Sequence, residues 1–156
     1  MTMSIMRTEN PYRLHLALGY QLTLTSRLQE RRFEDQIRTL GLTRISWCIL
    51  LAVETEELNR PSDIADFVGI DRTATSRALR QMENAGMLRR KSGDADRRTT
   101  CVEVTERGAG LLGRATDFAR ANATHFENKL SAPEALELRR LLEKLRIGEE
   151  TRLRRL

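Results

Sequence analysis

Between Pro11 and Leu40, the apolar residues Leu14, Leu18, Leu22, Leu28, Phe33, Ile37 and Leu40 recur at near-helical spacing, with arginines and glutamates between them. The pattern predicts one long helix of about seven or eight turns at roughly 3.6 residues per turn, stopped by Gly41. Thr43 then stands where a cap is needed for a second helix. The run that follows, ISWCILLAV, is almost continuously apolar and should lie inside the core. The polar stretch from Glu54 to Arg60 ends it. Pro61 and Ser62 open a short third helix that Gly69 closes; Pro61 is tolerated because an N–H in the first turn has no helical partner. Asp71 caps a fourth helix, which turns Thr75, Ala78, Leu79 and Met82 to one face and closes at Gly86.

Two helices of this length joined through Gly69 and Ile70 make a helix-turn-helix. The hydrophobic period then changes. Met87 to Arg90 reads as a short extended segment and Lys91 to Arg98 as a turn-rich loop. CVEVT alternates apolar and polar like a strand with one buried face, so a hairpin, or wing, follows the helix-turn-helix. Thr105 and Glu106 begin another long helix with Leu111, Leu112, Ala115, Phe118, Ala119 and Phe126 as its apolar positions. Ser131, Pro133 and Glu134 start a last one, carrying Leu138, Leu141, Leu142, Leu145 and Leu153. A small winged-helix core has no room for the apolar stripes of the first and last helices, so these are expected to be buried against a second copy of the chain. The expected fold is mainly α with a small β-hairpin wing. It comprises a frayed N-terminus at residues 1–10, a helical dimerisation region at 11–40 and 107–156, and a winged helix-turn-helix at 41–106.

Composition narrows the function. A chain of 156 residues, 40% apolar and 31% charged, fits one soluble globular domain with helical extensions. Its net charge of +5 is unevenly placed. Residues 71–98 hold eight basic and four acidic side chains, residues 139–156 hold seven and three, and residues 41–70 are net acidic. The central basic block favours a polyanionic partner, because neutralising phosphates releases condensed counterions; a solvated charged face is the plainer alternative. Seven aromatic residues provide little to stack on unpaired bases, which argues against single-stranded nucleic acid. The longest apolar run, Trp47 to Val53, is too short to span a bilayer, and no signal peptide is evident, so a cytoplasmic location is expected. Cys48 and Cys101 lack the paired spacing of a disulfide scaffold or zinc knuckle and read as reduced thiols. His15 and His125 have no companions at metal-ligand spacing, so neither metal nor other cofactor is expected. With no nucleophile–base pair, apolar carboxylate pair or phosphate-cradling glycine loop, the chain is not expected to be an enzyme.

The candidate chemistry lies on the fourth helix and the wing. Arg72, Thr73, Ser76, Arg77 and Arg80 fall opposite Leu79 and Met82. Short hydroxyls near the helix start let it approach a major groove, and arginine can read guanine O6 and N7 with two hydrogen bonds. If the strand pattern continues into the wing tip, Asp96 and Arg98 point to one side and Arg97 to the other. Asp96 would then hold Arg98 ready to enter a narrow minor groove, while Lys91 and Arg97 would touch backbone phosphates.

The order long helix, GLT, buried helix, then SDIADFVGIDRTATSRALRQMENAGMLRRKSGDADRRTTCVEVTERG resembles the MarR family of bacterial transcriptional regulators over about residues 12–146. Its most specific part is the wing, here Asp96, Arg98, Val102, Val104, Thr105, Glu106 and Gly108. The resemblance implies a homodimer built from the terminal helices and bound to a pseudo-palindromic double-stranded operator, as a sequence-specific regulator, most often a repressor. It implies that Thr73, Ala74, Ser76 and Arg77 approach bases or phosphates, that Arg98 is the minor-groove arginine, and that Ser62 meets a phosphate at the start of the third helix. Thr75 departs from the family, which often has an aliphatic residue there, and this implies looser packing under the recognition helix. Family members often release DNA when a small aromatic or phenolic effector binds; by resemblance and residue type Tyr12, His15, Tyr20 and Trp47 are the liners of such a crevice. The cysteine that one oxidant-sensing branch carries near the start of its first helix is missing, and Cys48 reads as a small buried hydrophobe. The competing reading is a winged-helix protein-interaction module without specific DNA binding.

Overall fold

The structure, a computed structural model, describes residues 11–92 and 100–149. Six α-helices and one hairpin follow each other as α1 (Leu18–Arg38), α2 (Arg44–Glu54), α3 (Pro61–Val68), α4 (Arg72–Asn84), β1 (Leu88–Ser92), β2 (Thr100–Val104), α5 (Glu106–Glu127) and α6 (Ala132–Arg146). The expected frayed N-terminus at residues 1–10, the wing-tip residues 93–99 and Leu153 lie outside the described residues.

Local chemistry explains most boundaries. Thr43 and Ser46 form a reciprocal capping box at α2, and Ser131 and Glu134 form another at α6. The Asp71 carboxylate accepts the Ala74 N–H at 2.7 Å to open α4, and the Thr105 hydroxyl accepts the Gly108 N–H at 3.1 Å to open α5. Gly69 ends α3 at φ 74°, and the Gly69 and Ile70 N–H groups both return to the Ala65 carbonyl. That tight end turns the chain directly into α4.

The expected single helix from Pro11 is broken. A 3₁₀ turn at Leu14–Leu16 is followed by extended Ala17 (ψ 132°), and regular helix begins only at Leu18. Leu14, Leu16 and Leu18 are all more than half exposed, so no buried face holds these first turns in helical geometry. The run ISWCILLAV is also less uniformly buried than expected. Ile49, Leu50 and Ala52 are sealed in the core, whereas Trp47, Cys48, Leu51 and Val53 are half-buried and Ile45 is exposed.

One core joins all elements except α6. Phe33 and Ile37 of α1 meet Ile49 and Leu50 of α2, Ile64 of α3, Leu79 of α4, Leu88 and Val102 of the hairpin, and Leu112 of α5. Thr75 is as buried as its apolar neighbours at 1% exposure, and its hydroxyl donates to the Asp71 carbonyl at 2.8 Å. The expected looseness under α4 is therefore absent at this residue. β1 and β2 are antiparallel, with Arg89 opposite Glu103, Arg90 opposite Val102 and Lys91 opposite Cys101. The Val102 N–H leaves this ladder for the Asn59 carbonyl at 2.8 Å, tying the hairpin to the loop before α3.

Gly108 is required by packing. A Cβ at this position would stand 2.1 Å from the Met87 carbonyl oxygen and 2.9 Å from Val104 Cγ1. The first turn of α5 therefore presses directly on the chain entering β1, where the Thr105 N–H also donates to Met87 O at 3.1 Å.

Candidate nucleic-acid interface

α4 lies on the core through Thr75, Leu79 and Met82, which fixes the direction of its other face. Arg72, Thr73, Ser76, Arg77 and Arg80 are all exposed there and, with Gln81 and Asn84, line one shallow groove. Sequence reasoning missed Gln81 and Asn84, although they follow Arg77 by four and seven positions and so share its side of the helix. Ala74 borders this face at its edge, beside Arg77 and Gln81. It is half-buried on the flank of α4 toward the start of α2, in a cleft with Ile45, Ser46 and Met82.

Ser62 is exposed at the second position of α3, where Arg60 provides no side-chain cap. Across from it, Arg72, Thr75 and Ser76 of α4 and Arg90 of β1 complete a second groove. Arg90 was not singled out from the sequence. Its position opposite buried Val102 puts it on the inner face of the hairpin, which could have marked it as unusual.

On the outer face, Glu103 binds two cations: Arg89 Nε at 2.8 Å on one oxygen and Lys91 Nζ at 2.8 Å on the other. These bonds hold the Glu103 carboxyl below its ordinary range. Lys91, expected at a phosphate, is engaged at the root of the wing while remaining over half exposed. Asp96, Arg97 and Arg98 lie outside the described residues.

A separate crevice of about 260 Å³ lies between α1, α2 and α5, bordered by Ser26, Glu30, Phe33, Arg44, Trp47 and Asn122 among others. Arg44 Nη1 and Glu30 Oε1 stand 2.6 Å apart, and Ser26 Oγ donates to the same carboxylate at 3.1 Å. The Arg44 bond is the main force holding Glu30 below the usual carboxylate range, against a smaller upward push from burial. Asn122 donates its amide to the Gln29 carbonyl at 3.1 Å, while its own oxygen and the Trp47 indole N–H are buried without a partner among the described residues. Of the four expected effector residues, only Trp47 borders this crevice. Tyr12 is exposed on the N-terminal arm, and His15 packs edge-on against Tyr20 at 4.8 Å. Cys48 is half-buried, and burial pushes its thiol up despite the nearby Arg44 charge.

Residues 42–108 match the family described as winged helix DNA-binding domain. The chain is 27% identical over 128 residues to the HTH-type transcriptional repressor Rv2887 of Mycobacterium tuberculosis, covering 82% of this chain and 92% of that protein. Its fold superposes on Escherichia coli MarR, a cysteine-to-serine variant complexed with operator DNA, with a TM-score of 0.72 at 20% identity, covering 82% of this chain and 92% of that one. It also superposes on Bordetella bronchiseptica BpsR, whose DNA binding is regulated by 6-hydroxynicotinic acid, with a TM-score of 0.76 at 21% identity, covering 90% and 100%. The molecule is a winged helix-turn-helix protein extended by helices at both ends. Its fold is the one seen in the MarR-type structures, and residues 42–108 form the winged helix DNA-binding domain within it.

Proposed function

We propose that this protein is a transcriptional repressor that binds a pseudo-palindromic double-stranded operator as a cytoplasmic homodimer and is released by a small-molecule effector. The carrying observation is the exposed face of α4, where three arginines and two hydroxyls stand on a helix whose opposite face is locked into the core. A rigidly mounted basic face of this kind suits entry into a major groove. The repressor function of Rv2887 and the operator-bound state of MarR support the reading. Arg98, outside the described residues, is assigned the minor-groove contact from the resemblance alone.

The effector role is assigned to the crevice at Trp47. An unpartnered indole donor and an unpartnered Asn122 acceptor in one crevice suit a planar ligand bearing both an acceptor and a donor. Of the further liners proposed from the sequence, His15 packs against Tyr20 and Tyr12 is exposed.

Fluorescence anisotropy with DNA from the upstream region of the protein's own locus tests the assignment. Arg77→Ala should weaken binding by about 5- to 150-fold, the loss of roughly 1–3 kcal/mol expected for a good bidentate base contact. Wild-type affinity in this variant would remove Arg77 from the interface.

A further inference from the structure

This inference rests on the DNA-binding reading and concerns Arg90, to which neither the sequence nor the family match gave a role. A strand face that packs on a core is normally apolar, and the neighbours of Arg90 on that face, Leu88 and Val102, are sealed. Arg90 instead projects a guanidinium beneath the groove formed by the start of α3 and the first turns of α4. Its charge is only partly compensated. Nε lies 3.3 Å from Glu83 Oε2, and both Nε and Nη2 are buried without hydrogen-bond geometry to any described residue. A cation on an otherwise apolar strand face, only partly compensated by Glu83, is costly to hold there, and the part of its side chain that stays open lies at the groove.

The groove above it shows what would share the charge. Arg72 and the hydroxyls of Ser62 and Ser76 border the same space, and no acidic side chain does. Three elements thus bring two guanidinium groups and the Ser76 hydroxyl to one opening beside the recognition helix, a donor set that suits a tetrahedral oxyanion, while the Ser62 hydroxyl at its edge donates to Asp63 at 3.3 Å. Arg90 remains 31% exposed, so this groove can reach its side chain although two of its nitrogens are covered. We propose that the Ser62–Arg72–Arg90 groove seats one phosphate of the DNA backbone, and that Arg90 positions the protein on the duplex without reading sequence.

The test is the salt dependence of binding to a random-sequence duplex, which reads phosphate contacts independently of any operator. Relative to wild type, Arg90→Gln should bind about tenfold more weakly and lose about one unit of slope in log K against log salt. Arg72→Gln should weaken binding as well, and the double variant should lose less than the two effects combined because both cations address one phosphate. If Arg90 served only to brace Glu83, Glu83→Gln would reproduce the loss. The seat requires Glu83→Gln to bind at least as tightly as wild type. Should Arg90→Gln fail to fold, Arg90→Met combined with Glu83→Gln removes the charge without stranding a carboxylate, and carries the same expected slope. A folded variant without the Arg90 charge but with wild-type affinity and slope overturns the seat. Failure of the wild-type chain to bind any duplex in a salt-dependent way overturns the DNA-binding reading, and the seat with it.

Discussion

Among single residues, Gly108 shows how a motif position acquires its physical meaning. In the sequence it belongs to the segment that resembles the family wing; in the structure it is where α5 touches the chain entering β1, with Met87 O 2.1 Å from the place a Cβ would occupy. The nearer obstructing atom is backbone, so the contact cannot be relieved by a side-chain rotation. Gly108→Ala is expected to destabilise the protein by at least about 2 kcal/mol, seen as a lowered urea midpoint. Unchanged stability would mean that α5 can shift away from β1 without loss. The exposed residues of α4 were legible by contrast, because a helix with Leu79 and Met82 on one side must present Arg72, Ser76 and Arg80 on the other. Ala74, expected at the DNA by resemblance, borders a cleft shared by Arg77 and Gln81 of that face and by Ile45 and Ser46 of α2, a placement that depends on how α4 is rotated against its neighbour.

For whole elements, caps and stops set boundaries and long-range contacts set relative placement. Thr43, Asp71, Thr105 and Ser131 were each readable as helix starts, and each stands at one. The tie between α1 and α2 was not readable, because Glu30 and Arg44 are fourteen positions apart and meet only when both helices pack on α5. This tie carries a pH prediction. The Glu30 carboxyl is depressed in the folded protein, so its contribution is fully present above the ordinary value of 4.5 and is lost as pH falls through the lower folded value. The difference in melting temperature between wild type and Glu30→Gln should therefore be constant near neutrality and shrink below about pH 4.5. A difference that persists unchanged at pH 3 to 4 would show that the ion pair is not its source.

At the level of the whole molecule, the described chain leaves much apolar surface at its two ends. Leu18, Leu22 and Leu28 of α1 and Leu138, Leu141 and Leu145 of α6 are exposed, and α6 holds to α5 through an Arg139–Glu127 ion pair at 2.7 Å. A homodimer is proposed as the state that covers these leucines. Light scattering should find a dimer at low micromolar concentration, and Leu141→Glu with Leu145→Glu should shift it toward monomer or aggregate. A monodisperse, stable monomer of wild type would contradict this arrangement. Periodicity, caps and glycines in the sequence alone determined the number and order of the helices, the hairpin after the fourth, and which side of α4 is basic, because these follow from interactions within a few residues of each other. Only tertiary structure decided that the first turns before Leu18 leave the helix, that Trp47 and Asn122 share a crevice while Tyr12, His15 and Tyr20 do not join it, and that Arg90 comes under the groove of Ser62 and Arg72. Each of these depends on which distant surfaces bury one another, and spacing along a single chain does not encode that directly.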